Sequence, residues 1–315
     1  MRGRTDAAAR GPLEILRLGT VTSTQDEAAR RAADGQQAPF ALTARHQSGG
    51  RGRLGRTFAS PEGASLALTY VHRSRLAPDR RGWFSLAAGI AAITALDQVL
   101  GEPGDERARI GLKWPNDLHT EDGRKLGGIL VEARGPELVL LGIGMNLRGP
   151  VLQADGRAVP GAAWLRGRAG VRPGPGEGLG AEETAGPDEE PDGALRERLE
   201  SALATALARE LTRLESTGGD GVSAGTHERY TMTCLTVGRA VRVDPLGEAG
   251  TSGAHPPSLH GMARMIDVHG RLVVDLAGGD RTAVDVGDVR HLRPDEPVRS
   301  TTRDAQGIEH EEYGT

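Results

Sequence analysis

Three stretches of this sequence hold residue types that do chemistry on anions. The run His46-Gln47-Ser48-Gly49-Gly50-Arg51-Gly52-Arg53-Leu54-Gly55-Arg56 packs four glycines and three arginines into eleven residues, and no carboxylate occurs from Thr43 through Pro61. Arginine offers a planar, permanently charged fork that fits carboxylate and phosphate. Glycine lets the backbone take positive φ or come close to a ligand. The run reads either as a loop that closes on a small anion or as a disordered segment that touches nucleic acid without specificity. Lys113 is the second position: a lysine in an apolar strand must either snorkel outward or meet an anion. Asn146 is the third. It closes an apolar strand after Gly142-Ile143-Gly144, as a turn former or as a polar contact.

The elements that position these residues are legible in outline. Leu13-Glu14-Ile15-Leu16 is strand-like. Thr22-Ser23-Thr24-Gln25-Asp26-Glu27 opens a helix, with Thr24 and Glu27 spaced as a capping box and Gly35 as the stop. On that reading Ser23 and Thr24 serve as caps. Phe40-Ala41-Leu42-Thr43-Ala44 is a strand that leads into the glycine–arginine run, and Ser65-Leu66-Ala67-Leu68-Thr69-Tyr70-Val71 leads out of it. Residues 82–100 form a helix apolar around most of its circumference, hence largely buried. Ile110-Gly111-Leu112-Lys113-Trp114 is the next strand, held extended by Pro115, with Asn116-Asp117 starting a turn. A tight turn at Asp122-Gly123 joins it to Lys125-Leu126-Gly127-Gly128-Ile129-Leu130-Val131-Glu132, which pairs with 138–147. Hairpin-linked strands imply a mixed or antiparallel sheet.

Residues 168–193 lack apolar periodicity and are rich in Gly, Pro, Glu and Ala, as in a disordered insertion. Leu195, Leu199, Leu203, Leu207, Leu211 and Leu214 follow at helical spacing. From Tyr230 the pattern turns to short strands at 240–243, 261–268, 272–276, 282–286 and 289–292, as in a small β-barrel, with 247–260 as an enlarged hairpin loop. The expected division is a loose terminus over 1–12, a main domain over 13–225, a small β-domain over 230–295 and a flexible polar tail over 296–315.

Composition narrows the function. A net charge of −4 makes the arginine run a local feature and argues against a general nucleic-acid binder. A single cysteine, Cys234, excludes an internal disulfide or a multi-cysteine metal site, and the nine histidines lack metal-ligand spacing. No apolar run reaches membrane-span length and no signal peptide opens the chain, so a cytoplasmic location is expected. The phosphate-loop motif ending in Gly-Lys-Ser/Thr, the dinucleotide fingerprint and the Gly-Xaa-Ser-Xaa-Gly elbow are all missing. Phosphate would fall to arginines and loop amides.

Gly50-Arg51-Gly52-Arg53-Leu54-Gly55-Arg56, Lys113-Trp114-Pro115-Asn116-Asp117, the double glycine Gly127-Gly128 within 125–132, and Gly142-Ile143-Gly144-Met145-Asn146-Leu147 occur in the order and spacing of biotin protein ligases. The chain resembles the bacterial biotin–[acetyl-CoA-carboxylase] ligases over 13–165 and 230–293. The resemblance implies an α+β fold: a mixed β-sheet catalytic domain flanked by helices, like class II aminoacyl-tRNA synthetases, with a small C-terminal SH3-like β-barrel. It implies that biotin carboxylate attacks the α-phosphate of ATP, supplied with Mg2+, to give biotinyl-5′-AMP and pyrophosphate. A lysine of a biotin carboxyl carrier domain in an acetyl-CoA or acyl-CoA carboxylase then takes the biotinyl group and AMP leaves.

The resemblance also distributes roles. Arg51, Arg53 and Lys113 are the catalytic expectation. Biotin is expected on Ser23, Thr24, Gln25, Gln47, Arg51, Gly52, Arg53, Lys113, Gly127 and Gly128, and ATP on Arg53, Arg56, Lys113, Asn116, Asn146 and Arg293. No metal ligands in the chain are expected. Gln25 departs from the asparagine usual after the Ser-Thr pair, which implies an adjusted contact to the ureido ring. Some relatives carry an N-terminal helix-turn-helix repressor domain. This sequence opens on the catalytic domain, so DNA is not an expected partner, and without a membrane-length apolar run neither is a membrane. Two alternatives remain: a lipoate or octanoate transferase of related fold, disfavoured by the Lys-Trp-Pro-Asn-Asp context, and a nucleic-acid-binding module, disfavoured by the lack of aromatics among the arginines.

Overall fold

A computed structural model describes residues 13–56, 58, 62–101, 109–152, 155–167, 169–171, 193–245, 258–285, 287–292, 300–303 and 309–312. The expected insertion at 168–193, the loop at 247–260 and Arg293 fall wholly or mostly outside these residues.

The main sheet has seven strands in the order β1-β2-β3-β7-β6-β5-β4. They are β1 (Glu14–Val21), β2 (Phe40–Gln47), β3 (Ser65–Arg73), β4 (Ile110–Lys113), β5 (Asp117–Thr120), β6 (Lys125–Arg134) and β7 (Leu138–Asn146). β1 and β2 are parallel, joined through helix α1 (Thr24–Ala33), and every other neighbouring pair is antiparallel. The mixed sheet follows from this one crossover among hairpins.

Side chains alternate across a strand, and both faces of this sheet are covered. Helices α2 (Phe84–Leu100) and α3 (Gly193–Ser216) pack against the face that carries Leu66, Leu68, Tyr70, Leu141 and Ile143, forming the main core. The nearly uniform apolar surface of α2 is explained by this burial: Phe84, Leu86, Ala88, Ile90, Ala91 and Ala92 are all enclosed. Helix α1 covers the opposite face through Ala28, which packs with Phe40, Val71 and Leu140.

The C-terminal part departs from the sequence reading at its start. Thr226–Thr233 is a helix, α4, so Tyr230 does not begin the strand region; its ring is buried at 1% exposure. Five strands follow: β8 (Ala240–Pro245), β9 (Leu259–Ile266), β10 (Leu272–Leu276), β11 (Arg281–Val284) and β12 (Gly287–His291). Their order β11-β10-β9-β8-β12 leaves an open sheet among the described residues rather than a closed barrel. Where a flexible tail is expected, β13 (Ser300–Arg303) and β14 (Glu309–Glu312) form a short antiparallel pair.

The small sheet is joined to the main one beside the motif strand. The Trp114 indole Nε1 donates to the Gly270 carbonyl at 3.0 Å, and the Trp114 backbone N–H donates to Thr236 Oγ1 at 3.0 Å. His291 of β12 lies 3.1 Å from the same Thr236 hydroxyl.

Candidate active site

The site is built on three aligned rows across β3, β7 and β6. Register places Val71, Leu140 and Glu132 in one row, Thr69, Gly142 and Leu130 in the next, and Ala67, Gly144 and Gly128 in the third. All three rows share the α1 face, because they lie two residues apart along each strand. Val71 and Leu140 of the first row pack under α1. The next two rows carry glycine at 142, 144 and 128 and alanine at 67, and a hollow opens where α1 begins.

The first turn of α1 occupies the rim of that hollow. Ser23 stands at the N-cap position without a side-chain capping bond, which overturns the capping assignment for this pair. Thr24 Oγ1 instead donates to Gln47 Oε1 at 3.0 Å and accepts from Thr69 Oγ1 at 2.9 Å, while the Thr24 backbone N–H also donates to Gln47 Oε1 at 2.8 Å. Glu27 turns outward to Arg30 and Arg31. Gln25 Nε2 donates to the Leu130 carbonyl at 2.8 Å, which fixes the amide and leaves Oε1 buried without a hydrogen-bond partner. The longer side chain fits because residue 142 is glycine: a Cβ there would stand 2.9 Å from Gln25 Nε2.

The glycine–arginine loop folds over the hollow. Phe58 N–H donates to the Gly50 carbonyl at 2.9 Å and Gly52 N–H to the Arg56 carbonyl at 2.7 Å, around a 3₁₀ turn at Arg53–Gly55. Of its glycines only Gly55 takes positive φ, at 69°. Gly50 is required for close approach, since a Cβ would lie 2.7 Å from the Phe58 carbonyl oxygen and 2.9 Å from Gln47 Nε2. The loop thereby lays the Phe58 ring on Gly144, where a Cβ would be 2.8 Å from the ring.

Arg51, Arg53 and Lys125 each meet a defined partner. Arg51 Nη2 lies 2.8 Å from Asp26 Oδ1 and 2.9 Å from Glu132 Oε2. Arg53 Nη1 donates to Asn116 Oδ1 at 2.8 Å, and Asn116 Nδ2 in turn donates to the Ile129 carbonyl at 2.8 Å. Lys125 Nζ lies 2.7 Å from Asp117 Oδ1. Burial pushes the Asp117 carboxyl up, but the nearby His119 ring and the Lys125 ammonium outweigh it and hold the group down at about 2. Asn146 Nδ2 donates to the Ala163 carbonyl at 2.9 Å, tying the end of β7 to the segment that walls the far side.

Together these residues enclose a cavity of about 330 Å³. Ser23, Thr24, Gln25, Gln47, Arg51, Gly52, Arg53, Arg56, Asn116, Gly127, Gly128 and Asn146 all line it. Lys113 does not. It lies in edge strand β4 opposite Asp117 and is half-buried, where its charge helps hold His291 neutral. The lysine in the cavity wall is Lys125, which the sequence reading passed over together with Asp117, Phe58 and the wall from Val159 to Ala162. Its signal was its place just before Leu126-Gly127-Gly128 in a motif already singled out. Cys234 is not in the lining, and burial pushes its thiol up, away from a nucleophile's range. Among the described residues no group of three or more His, Cys, Asp and Glu side chains converges as a metal site.

The arrangement has two chemically distinct parts. Ser23, Thr24, Gln25 and Gln47 are neutral, polar and buried, at 2%, 4%, 4% and 9% exposure. Arg51, Arg53, Arg56 and Lys125 are cationic and more open to solvent, with Asp117 the one carboxylate in the lining. Such a cavity holds a molecule with a neutral hydrogen-bonding head and an anionic end.

Comparison with known proteins agrees with this reading. The pattern of the biotin/lipoate A/B protein ligase family matches residues 18–146. The chain is 33% identical over 296 residues to biotin–[acetyl-CoA-carboxylase] ligase of Mycobacterium tuberculosis, spanning 93% of this chain and 94% of that protein. It is 36% identical over 136 residues to the corresponding ligase of Paracoccus denitrificans, spanning 42% of this chain and 54% of that one. The structure of biotin protein ligase from Aquifex aeolicus in complex with biotin and ATP superposes with a TM-score of 0.61, covering 89% of this chain and 99% of that chain at 19% identity, a likeness of fold. On the length and level of the first of these matches, the chain belongs to the biotin protein ligase family.

Proposed function

We propose that this protein is an ATP-dependent ligase that attaches biotin to a lysine of the carrier domain of a biotin-dependent carboxylase such as acetyl-CoA carboxylase. The observation that carries the reading is the division of one cavity into a buried neutral polar set and a cationic set. Biotin has the matching form, a cyclic urea joined through an apolar chain to a carboxylate. The volume falls within the range of small-molecule pockets.

In the first half-reaction a carboxylate oxygen of biotin bonds to the α-phosphorus of ATP and pyrophosphate leaves with the electron pair of the broken P–O bond. Two anions must meet, so fixed cations lower the barrier by offsetting their repulsion. Lys125 takes the place the sequence reading gave to Lys113, beside the reacting oxygens, with Arg51 on the biotin carboxylate and Arg53 on the phosphate. Asn116 holds Arg53, and Arg56 extends the cationic side toward the nucleotide. Magnesium arrives on the nucleotide phosphates as part of the substrate. Thr24, Gln47 and Ser23 take the ureido group, with Gln25 Oε1 as a further acceptor and Phe58 and Gly144 along the ring system.

In the second half-reaction the carrier lysine's neutral amine attacks the acyl carbon, the acyl–phosphate bond breaks, and AMP leaves as the amine loses a proton. The folded loop shields the mixed anhydride from water until then. The family resemblance also implies a contribution to ATP from Arg293, which lies outside the described residues.

The test is pyrophosphate release from ATP by the full chain with biotin, followed by mass spectrometry of an added apo carrier domain, with lipoate as a parallel arm. Biotin-dependent release and a biotinyl mass gain on one carrier lysine are expected. Turnover with lipoate and none with biotin would overturn the assignment.

A further inference from the structure

Arg51 lines the cavity, but the two carboxylates that hold it do not. Asp26 comes from the first turn of α1, and Glu132 from the Val71–Leu140 row on β6. Glu132 lines instead a second space of about 350 Å³ beside the loop, which Arg51, Arg53 and Arg56 also border. Arg51 therefore borders both spaces, and it is gripped from outside the one that takes the ligand.

That grip falls on a single nitrogen. Arg51 Nη2 lies 2.8 Å from Asp26 Oδ1 and donates to Glu132 Oε2 at 2.9 Å. Nη2 has two hydrogens, and two carboxylate oxygens stand at bonding distance from it. A guanidinium holds a carboxylate bidentately through Nη1 with Nη2 or through Nε with Nη2, so either fork needs Nη2. With that nitrogen engaged, Arg51 offers an anion in the cavity single donors and no fork.

Release is provided for on both sides. Glu132 Oε2 has a second cation in Arg134 Nη2 at 3.2 Å, and the Asp26 side chain is 52% open to solvent. Each carboxylate keeps a cation or water when it lets Arg51 go, so the exchange costs little. We propose that Asp26 and Glu132 form a latch on Arg51, which the ligand's carboxylate opens by displacing at least one of their oxygens from Nη2. They are positioning residues, and they hold the preference of the cavity for an anionic end below what Arg51 alone would give. This rests on Arg51 meeting the carboxylate end of the ligand, as in the reading above.

Neighbouring charges are committed elsewhere. Glu27, next to Asp26 on α1, pairs with Arg30 and Arg31. Arg53 donates to Asn116, and Lys125 pairs with Asp117.

The test is calorimetric titration of the full chain with biotin and with uncharged biotin amide, in the wild type, Asp26→Asn, Glu132→Gln and the double variant. The preference for the acid over the amide is expected to rise about threefold in each single variant and about tenfold in the double, the scale of exposed ion pairs. Glu27→Gln removes the same charge from the same turn of α1 without touching Arg51, and there the preference should not move. An unchanged or lower preference in the double variant, or an equal rise in Glu27→Gln, would overturn the latch while leaving the ligase reading intact. Failure of the wild type to bind biotin would overturn the ligase reading and this proposal with it.

Discussion

Arg53 and Asn116 form one unit: the guanidinium Nη1 donates to Asn116 Oδ1 at 2.8 Å, and the same asparagine donates to the Ile129 carbonyl. A loop arginine is thereby referenced to the backbone of β6, the strand that carries Gly127 and Gly128. Arg53→Ala and Asn116→Ala should each slow adenylate formation. Their double variant should fall short of the summed losses by about 1–2 kcal/mol, since either change alone already removes the shared bond. Pyrophosphate release under single-turnover conditions reads this coupling, and strict additivity would show that the pair does not act together.

The two lysines make opposite predictions. Lys125→Ala should cut adenylate formation by about a hundredfold or more, the usual scale for losing a fixed charge at a developing anion. Lys113→Ala should leave the chemical step within about threefold and act mainly on stability, because Lys113 is outside the cavity lining. Comparable losses in kcat for both variants would return Lys113 to the reacting centre.

Gly144→Ala places a methyl 2.8 Å from the Phe58 ring. The Phe58 ring must then swing off the floor of the cavity, so the cover that it gives the hollow should be lost. Biotin affinity should fall about tenfold, with destabilisation of about 1–3 kcal/mol. Phe58→Leu combined with Gly144→Ala should recover part of the stability in chemical denaturation, and no recovery would mean that the ring is not the obstacle.

His291 gives a pH-dependent stability with a fixed sign. Its folded value of about 3 lies below the ordinary 6.5 because burial and then the Lys113 charge disfavour the imidazolium. The unfolded chain binds the extra proton, so this contribution is complete above about pH 6.5 and is lost as pH falls toward 3. His291→Gln should flatten the decline in melting temperature between about pH 7 and 4.5. An unchanged decline would assign the acid sensitivity to other groups.

Much of the site was legible because it is made of short motifs whose chemistry is local. Arg51, Arg53, Asn116, Gly128 and Asn146 announce themselves by type and spacing, and β3, β6 and β7 by their apolar runs. Lys113 and Lys125 could not be ranked that way. Both are strand lysines near a polar turn, and their difference lies in strand order: β4 is an edge strand, whereas β6 pairs with β7 at the floor of the cavity. Long-range pairing of this kind leaves no mark in local periodicity. The capping reading of Thr24 failed for a related reason. Its hydroxyl satisfies Gln47 and Thr69, from positions 23 and 45 residues away, and tertiary partners override a local preference. Helix α4 was missed because a buried Tyr230 and its threonines carry little helical signal beside a β-rich neighbourhood.

The bare backbone at Gly128, Gly142 and Gly144 has a consequence for how this protein changes over evolutionary time. A ligand resting there meets main chain, whose shape no single-codon change can trim further. Each such change adds bulk, against the Asp117 carboxylate at 3.3 Å for Gly128, the Gln25 amide for Gly142 or the Phe58 ring for Gly144. Innovation in what the cavity accepts is therefore channelled to the surrounding residues. Gln25 is the readiest of these, its side chain lying over the bare backbone of Gly142.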